Sequence, residues 1–131
     1  MAGGAPARRV QSARMGTDRG VDCVVVERAQ LREGASFDGG DHGAGDVSFI
    51  LVDLAPGEGP KLHRHGYAET FVVQEGEATF TAGATTMVAR GGQIVVVPAG
   101  VPHKFVNTGT GRLRQVDVHA AGRIVTEWLE D

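Results

Sequence analysis

The chain has 131 residues, a length that fits one domain able to bury its own core without disulfides or a structural metal. Its formal net charge of −3 gives no electrostatic reason to expect binding to nucleic acid or to an anionic membrane surface. The single cysteine, Cys23, excludes an intrachain disulfide. A small molecule is therefore the expected partner.

Targeting signals are not evident in the sequence. No stretch reaches the roughly 18 apolar residues that a membrane helix needs. The basic N-terminus lacks the apolar block of a secretory signal, so we expect a cytoplasmic protein. Residues 1–20, "MAGGAPARRVQSARMGTDRG", contain almost no large apolar side chains and are predicted to form a flexible tail. Residues 21–131 are predicted to form a single domain.

Short runs rich in β-branched residues, bounded by Gly, Pro and Asp, fill this domain and predict strands. They are, in chain order, "VDCVVV", "VSFILVDL", "KLHRH", "ETFVVQ", "EATFTA", "TTMVA", "QIVVVP", "HKFVN" and "LRQVDVHA". The intervals between them are too short for crossover helices, so the strands are expected to pair antiparallel in a sandwich or barrel. The fold class is therefore predicted to be all-β.

Two segments depart from the strand pattern. The Gly-rich stretch "FDGGDHGAGD", residues 37–46, is predicted to be a loop, and a lid over a site is one alternative for it. Near the end, "RIVTEWLE" predicts a short C-terminal helix that packs outside the barrel. In it Ile124 and Trp128, and likewise Val125 and Leu129, are four residues apart.

The stretch "HRHGYAE", residues 63–69, raises the question of a metal site. His63 and His65 share one face of a strand because side chains alternate. If that face is the barrel interior, Glu69 can enter it at the start of the next strand, and His103 can return to it from "HKFVN". Any one of these residues alone is more often an ordinary core or surface residue, but burying all four together without an ion would be costly.

Three imidazoles and one carboxylate form a donor set for a divalent transition metal and suit calcium or magnesium poorly. The candidate ions are iron, manganese, nickel, cobalt, copper and zinc, and iron is the most plausible of them if the chemistry uses dioxygen. Four protein ligands on an octahedral ion would leave two adjacent positions open, which is characteristic of catalytic sites.

At this point the sequence resembles the cupin superfamily, which carries the motifs G(X)5HXH(X)3,4E(X)6G and G(X)5PXG(X)2H(X)3N. The first matches "GEGPKLHRHGYAETFVVQEG", Gly57 to Gly76, and the second matches "GQIVVVPAGVPHKFVN", Gly92 to Asn107, at every named position and spacing. The resemblance implies a single-domain, antiparallel jelly-roll barrel that assembles as a homodimer. It also implies that His63, His65, Glu69 and His103 are the metal ligands, with Glu69 as the candidate catalytic carboxylate.

The cupin barrel hosts many chemistries, so the fold does not fix the reaction. The three-His, one-Glu set resembles that of dioxygenases acting on enols and flavonols, of oxalate-degrading enzymes, and of some isomerases, lyases and cyclases. We favour a dioxygenase acting on a small, partly apolar, enolisable molecule, because adjacent open positions let a bidentate enolate bind the metal. The alternatives are an isomerase, cyclase or lyase with redox-inert zinc or nickel, and a non-enzymatic small-molecule-binding protein.

Further candidates surround the expected ligands. Phe71 and Phe105 share faces with ligands and are expected to form apolar cavity walls, while Tyr67 lies between two ligands and is expected at the rim of the site. In "LRQVDVHA" the polar residues Gln115 and His119, with Asp117 between them, alternate with valines. We expect this polar set to face solvent, as is ordinary in antiparallel strands. If it faces inward, Gln115 and His119 become candidates for proton transfer or for orienting the ligands.

The homodimer is testable directly. The strands that point ligands inward carry valines at the alternate, outward positions, namely Val72, Val95 or Val96, and Val106. A small barrel alone cannot cover this apolar surface, and a symmetric dimer is the commonest way to bury it. We expect light scattering at micromolar concentration to give the mass of a dimer. A monomer mass across that range would contradict the expectation.

Overall fold

Two five-stranded antiparallel sheets face each other in the computed structural model, which describes residues 22–131. This jelly-roll architecture confirms the all-β fold predicted from the sequence. The predicted N-terminal tail lies outside the described residues. Neither of the two short helical turns, Arg28–Gln30 and Gly39–His42, has the length or apolar character needed to cross a membrane.

Ten strands make up the sheets. Their bounds are Ser36–Phe37 (β1), Ser48–Leu54 (β2), His63–Arg64 (β3), Glu69–Glu75 (β4), Glu77–Ala82 (β5), Thr85–Arg90 (β6), Ile94–Val97 (β7), His103–Asn107 (β8), Leu113–His119 (β9) and Glu127–Trp128 (β10). One sheet has the order β1-β2-β9-β4-β7 and the other β10-β3-β8-β5-β6. The strands that carry the candidate ligands, β3, β4 and β8, are thus divided between the two sheets.

The predicted strand "VDCVVV" is absent from the structure, because residues 22–26 have no regular secondary structure. The sheet edge beside β2 is occupied by β1 instead, through the pairs Ser36 with Ile50 and Phe37 with Phe49. The run "KLHRH" is strand only over His63–Arg64. The other predicted runs each contain a strand close to their predicted bounds.

The predicted C-terminal helix is wrong, because this segment forms β10 along the free edge of β3. Glu127 pairs with Arg64 and Trp128 with His63, and the Leu129 N–H donates to the Leu62 carbonyl at 2.9 Å. An isolated eight-residue helix is marginal in water, whereas an unpaired strand edge offers backbone partners at once. The expected apolar helix face does not form, since the side chain of Trp128 remains largely exposed.

The core lies between the sheets and is built from the inward residues of alternating strands. Phe71 and Val73 of β4 meet Phe80 of β5 and Phe105 of β8, with Leu113 of β9 beneath them, all of them buried. The rings of Phe71 and Phe80 pack edge to face with centroids 5.1 Å apart. This packing fixes the positions of β4 and β8, which also carry Glu69 and His103.

Two turns explain residues that the sequence motifs require. Gly76, between β4 and β5, has a φ of 92°, and a Cβ there would lie 2.3 Å from the Arg112 carbonyl oxygen. Asn107 is not near the candidate ligands; its side-chain oxygen accepts the Gly109 N–H at 2.9 Å and its amide donates to the Leu54 and Gly111 carbonyls. Asn107 therefore fixes the turn that follows β8.

Apolar side chains remain on the outside of the barrel along two edge strands. Ile94 and Val96 of β7 are 63% and 61% exposed, whereas Val95 between them is buried. On β6, at the edge of the other sheet, Met87 and Val88 are also exposed.

Candidate metal centre

Backbone pairing brings the candidate ligands to one end of the barrel interior. His63 of β3 is opposite His103 of β8, and the alternation along the chain turns His65 to the same side as His63. Glu69 is the first residue of β4 and is opposite His119 of β9. All five side chains are buried.

The ligand atoms of His63, His65, Glu69 and His103 lie within 4.8 Å of one another, close enough to hold one metal ion. The Nε2 atoms of His65 and His103 each lie 3.0 Å from Glu69 Oε1. The four side chains that the sequence spacing suggested could meet do converge in the structure.

Backbone carbonyls set the tautomer of the three imidazoles. Each Nδ1 atom lies within hydrogen-bond distance of a carbonyl oxygen, so the neutral ring donates there and keeps its lone pair on Nε2. The acceptors for His63, His65 and His103 are the carbonyls of Lys61, Val125 and Val101, at 2.7, 2.8 and 2.9 Å respectively. The lone pairs are thus directed into the cluster, as metal ligation requires.

Two buried nitrogens also indicate that the cluster fits a cation. Among the described residues, Nε2 of His65 and Nε2 of His119 have no aligned hydrogen-bond partner, although both lie close to Glu69. Buried polar atoms are rarely left in this condition without an ion or a water. The donor set is also correct for a divalent transition metal.

The electrostatics of the cluster favour an ionised carboxylate. Burial alone would raise the pKa of Glu69, but the close approach of the His103, His119 and His65 imidazoles outweighs it and holds that pKa well below its usual range. Burial, reinforced by the neighbouring imidazoles of His103 and His65, lowers the pKa of His63 despite its bond to the Lys61 carbonyl. The arrangement thus supplies one negative charge and at least one neutral imidazole to an incoming cation.

His119 lies beside the cluster, which contradicts the expectation that its polar strand face meets solvent. Gln115, Asp117 and His119 are all buried, because the register of β9 on β4 places them opposite Val73, Phe71 and Glu69, the inward residues of β4. His119 Nε2 is 3.1 Å from Glu69 Oε2, the oxygen not shared by His65 and His103. Its other nitrogen, Nδ1, is 2.8 Å from the Tyr67 hydroxyl.

Tyr67 connects this arrangement to the C-terminal segment. Its hydroxyl accepts the Val125 N–H at 3.1 Å, which leaves its own proton available for His119 Nδ1. The Val125 carbonyl in turn accepts from His65 Nδ1. The backbone of Val125 therefore orients His65 through its carbonyl and Tyr67 through its N–H, and Tyr67 in turn contacts His119.

Asp117 lies at the site although the sequence pattern did not single it out as a candidate. Its carboxyl group is 3% exposed, and Oδ1 accepts the Gln115 side-chain amide at 2.8 Å. Burial, together with the negative charge of Glu69, raises the pKa of Asp117 well above its usual range, and the bond from Gln115 offsets this only in part. The alternation of polar and apolar residues on β9 is compatible with a polar face that points into the barrel. The same pattern is equally compatible with a polar face that points to solvent.

The cluster opens onto a cavity of about 390 Å³. His63, His65, Glu69 and His119 form its polar end together with Asp117. Its apolar wall includes Ile50, Val52, Leu54, Pro60, Phe105 and Trp128. Within the described part of the chain, no lysine or arginine lines this cavity.

The remaining sequence candidates divide between wall and core. Phe105 lines the cavity as expected, whereas Phe71 lies in the core, where its ring packs edge to face on His103 at 5.7 Å. Residues 37–46 do not line the cavity, and this loop is attached to the C-terminal segment by the Gly40 N–H bond to the Gly122 carbonyl. His42 in that loop stacks on Phe37, away from the cluster.

Comparison with known proteins agrees with this geometry. The family described as "Cupin domain" matches residues 50–119, more than half of the chain, and the protein therefore belongs to the cupin family. This match confirms the resemblance seen in the two sequence motifs. A search of curated proteins found no match.

Solved structures share the fold. A mutant of oxalate decarboxylase from Bacillus subtilis has a TM-score of 0.66 at 22% identity, over 72% of this chain and 27% of that one. An oxalate oxidase in complex with the substrate analogue glycolate has a TM-score of 0.65 at 22% identity, over 72% and 53%. An uncharacterized conserved protein with a double-stranded beta-helix domain, from Klebsiella pneumoniae, has a TM-score of 0.61 at 25% identity, over 66% and 73%. This chain thus spans about a quarter of the decarboxylase.

The ligand assignment predicts which histidines matter for metal content. We expect His63→Ala, His65→Ala and His103→Ala each to lower bound metal sharply, with a milder effect of Glu69→Ala because three imidazoles remain. Metal binds the native state, so a concentration 100 times Kd should stabilise the wild type by about 2.7 kcal/mol and leave the His63→Ala, His65→Ala double variant unchanged. Elemental analysis and thermal unfolding measure both effects, with His42→Ala as the control that keeps its metal. Full metal content in the double variant would refute the assignment.

A separate prediction concerns His119 and Tyr67, which contact the cluster without belonging to the four ligands. Losing a group that orients a ligand lowers metal affinity by roughly 10–100-fold, and we expect a loss in this range for His119→Ala. His119→Gln keeps a side-chain donor and should lose less, and Tyr67→Phe should lose least. Competition with a chromophoric chelator gives the dissociation constants. Wild-type affinity in His119→Ala would show that His119 does not support Glu69.

Proposed function

We propose that this protein is a metal-dependent enzyme that acts on a small, partly apolar, enolisable compound and that its reaction consumes dioxygen. The observation that carries the proposal is a buried His/Glu cluster at one end of a largely apolar cavity without a lysine or arginine among its described lining residues.

The donors support a divalent transition metal held by His63, His65, Glu69 and His103. Iron is the preferred ion because dioxygen chemistry needs a redox-capable metal. Manganese is the alternative suggested by the structural neighbours, since one structure of the Bacillus subtilis oxalate decarboxylase concerns its Mn(II) centers. When bound, such an ion supplies redox capacity and a positive charge that stabilises an enolate.

Charge balance supports an enolate as the bound form of the substrate. Glu69 is ionised, so a divalent ion with these four donors carries one net positive charge. A single enolate neutralises that charge inside a cavity where an unpaired charge would be unfavourable. The apolar wall of Ile50, Val52 and Leu54 then accommodates the rest of a partly hydrophobic molecule.

The same argument disfavours oxalate, despite the fold shared with oxalate-degrading enzymes. A dianion would add a second negative charge close to Glu69 and beside the carboxyl group of Asp117. Since the described residues of the cavity wall include no cationic side chain, nothing but the metal would offset that charge. A likeness of fold at 22% identity does not carry the substrate with it.

One observation favours a second candidate, an isomerase, cyclase or lyase with a redox-inert metal. Groups able to hold protons lie around the cavity: the buried carboxyl group of Asp117, and His119 with its contact to Tyr67. Proton transfer between such groups and an enolate needs only a Lewis acid, which zinc or nickel provides.

Reconstitution with separate metals tests the proposal. Apo-protein loaded with iron, manganese, nickel, copper or zinc would be offered 1,3-diketones and flavonols while an oxygen electrode and a product assay run in parallel. We expect oxygen uptake that needs both substrate and a redox-capable metal, disappears in His103→Ala and persists in His42→Ala. Product formation without oxygen uptake, zinc included, would replace the dioxygenase by the Lewis-acid candidate. Tight binding without turnover under every metal would indicate a binding protein.

A further inference from the structure

Strand β9 extends a row of polar side chains from the metal centre into the cavity. Gln115, Asp117 and His119 alternate on its inner face, and His119 reaches Glu69. Because a strand rises about 3.3 Å per residue, Asp117 lies roughly 7 Å along the strand from His119. Asp117 is thus one step farther into the barrel than the groups that contact the cluster.

The surroundings of Asp117 leave one of its oxygens without a protein partner. Oδ1 accepts the Gln115 amide at 2.8 Å, and among the described residues this is the hydrogen bond that the carboxyl group makes. No lysine or arginine in residues 22–131 pairs with it, and the side chain lines the cavity beside Ile50, its cross-strand neighbour on β2. A carboxyl oxygen that faces a cavity without a protein partner is open to a water or to a bound ligand.

Gln115 determines how the carboxyl group is presented. By donating to Oδ1 it assigns the acceptor role to that oxygen, so a proton on the neutral group resides on Oδ2. Burial and the lack of a cationic partner among the described residues both favour the neutral form. A neutral carboxyl group held in this way is a hydrogen-bond donor to whatever occupies the cavity.

We propose that Asp117 is a specificity-determining residue, which binds an uncharged, hydrogen-bond-accepting oxygen of the substrate at a distance from the enolic group that binds the metal. The substrate class is therefore an enolisable compound with an apolar body and a second, carbonyl-type or ether-type oxygen. This inference rests on the proposed function, because it assumes that the cavity binds an enolisable molecule.

Binding to zinc-loaded, full-length protein tests the inference without turnover. The probes are 1-phenyl-1,3-butanediones that carry an acetyl or an isopropyl group on the ring at the meta or para position. The two groups have nearly the same shape, but only acetyl offers an acceptor. Calorimetry gives the dissociation constants, and the fluorescence of Trp128, the chain's single tryptophan and part of the cavity wall, gives an independent measure.

We expect wild-type protein to bind the acetyl probe about tenfold more tightly than its isopropyl counterpart at one ring position. Asp117→Val should abolish or reverse this preference while still binding the isopropyl probe. Asp117→Asn keeps a donor toward the cavity and should preserve the preference, as should the control Asp46→Val, which changes an exposed residue outside the cavity. A general loss of structure would not change the ratio between matched probes.

Two results would overturn the inference. One is equal binding of acetyl and isopropyl probes by the wild type, a comparison that needs no variant and so does not depend on whether Asp117→Val folds. The other is an acetyl preference that survives in Asp117→Val. Failure of every diketone to bind the zinc-loaded wild type would instead contradict the proposed function, and this inference with it.

Discussion

The buried carboxylate of Glu69 is the constraint on which the site depends. Its two oxygens contact imidazoles on three different strands or turns: His65 and His103 at Oε1 and His119 at Oε2. A carboxylate buried in this way is stable only while these partners surround it, so β3, β4, β8 and β9 must keep their mutual register. The edge-to-face contact between Phe71 and His103 joins this polar cluster to the apolar core, which holds the register in place.

The C-terminal segment becomes part of the centre for the same reason. An imidazole that binds metal through Nε2 needs an acceptor for its Nδ1 proton, and for His65 that acceptor is the Val125 carbonyl. In a helix over this segment, that carbonyl would accept a hydrogen bond from the helix backbone and would not be available to His65. The extended β10, fixed by the two hydrogen bonds from Arg64 to Glu127, keeps the carbonyl directed at His65. The error in the predicted helix therefore arose from a tertiary requirement that periodicity does not contain.

Most of the fold and the four candidate ligands could be predicted from the sequence, because both follow from local rules. Strand alternation places His63 and His65 on one face, and the glycines that bound the two motifs mark turns such as the one at Gly76. Asp117 and His119 could not be placed in this way. Alternating polar and apolar residues on an antiparallel strand describe a wet outer face equally well. The register that pairs Asp117 with Phe71 and His119 with Glu69 decides that its polar face is the buried one.

Under the proposed function, the cavity wall, more than the ligands, determines which substrate this protein binds. A His/Glu cluster fixes which cations can bind, but the same cluster serves many substrates, so selectivity depends on the residues around it. Here the wall combines aliphatic side chains from β2 with the carboxyl group of Asp117, whose orientation is fixed by Gln115. An apolar wall excludes small dianions because they would lose their hydration on entering the cavity. A single fixed donor selects among the apolar molecules that remain. Both conditions are imposed by β2 and β9, which are neighbours in one sheet, so substrate selection can change through these two strands while β3 and β8 keep the histidines in place.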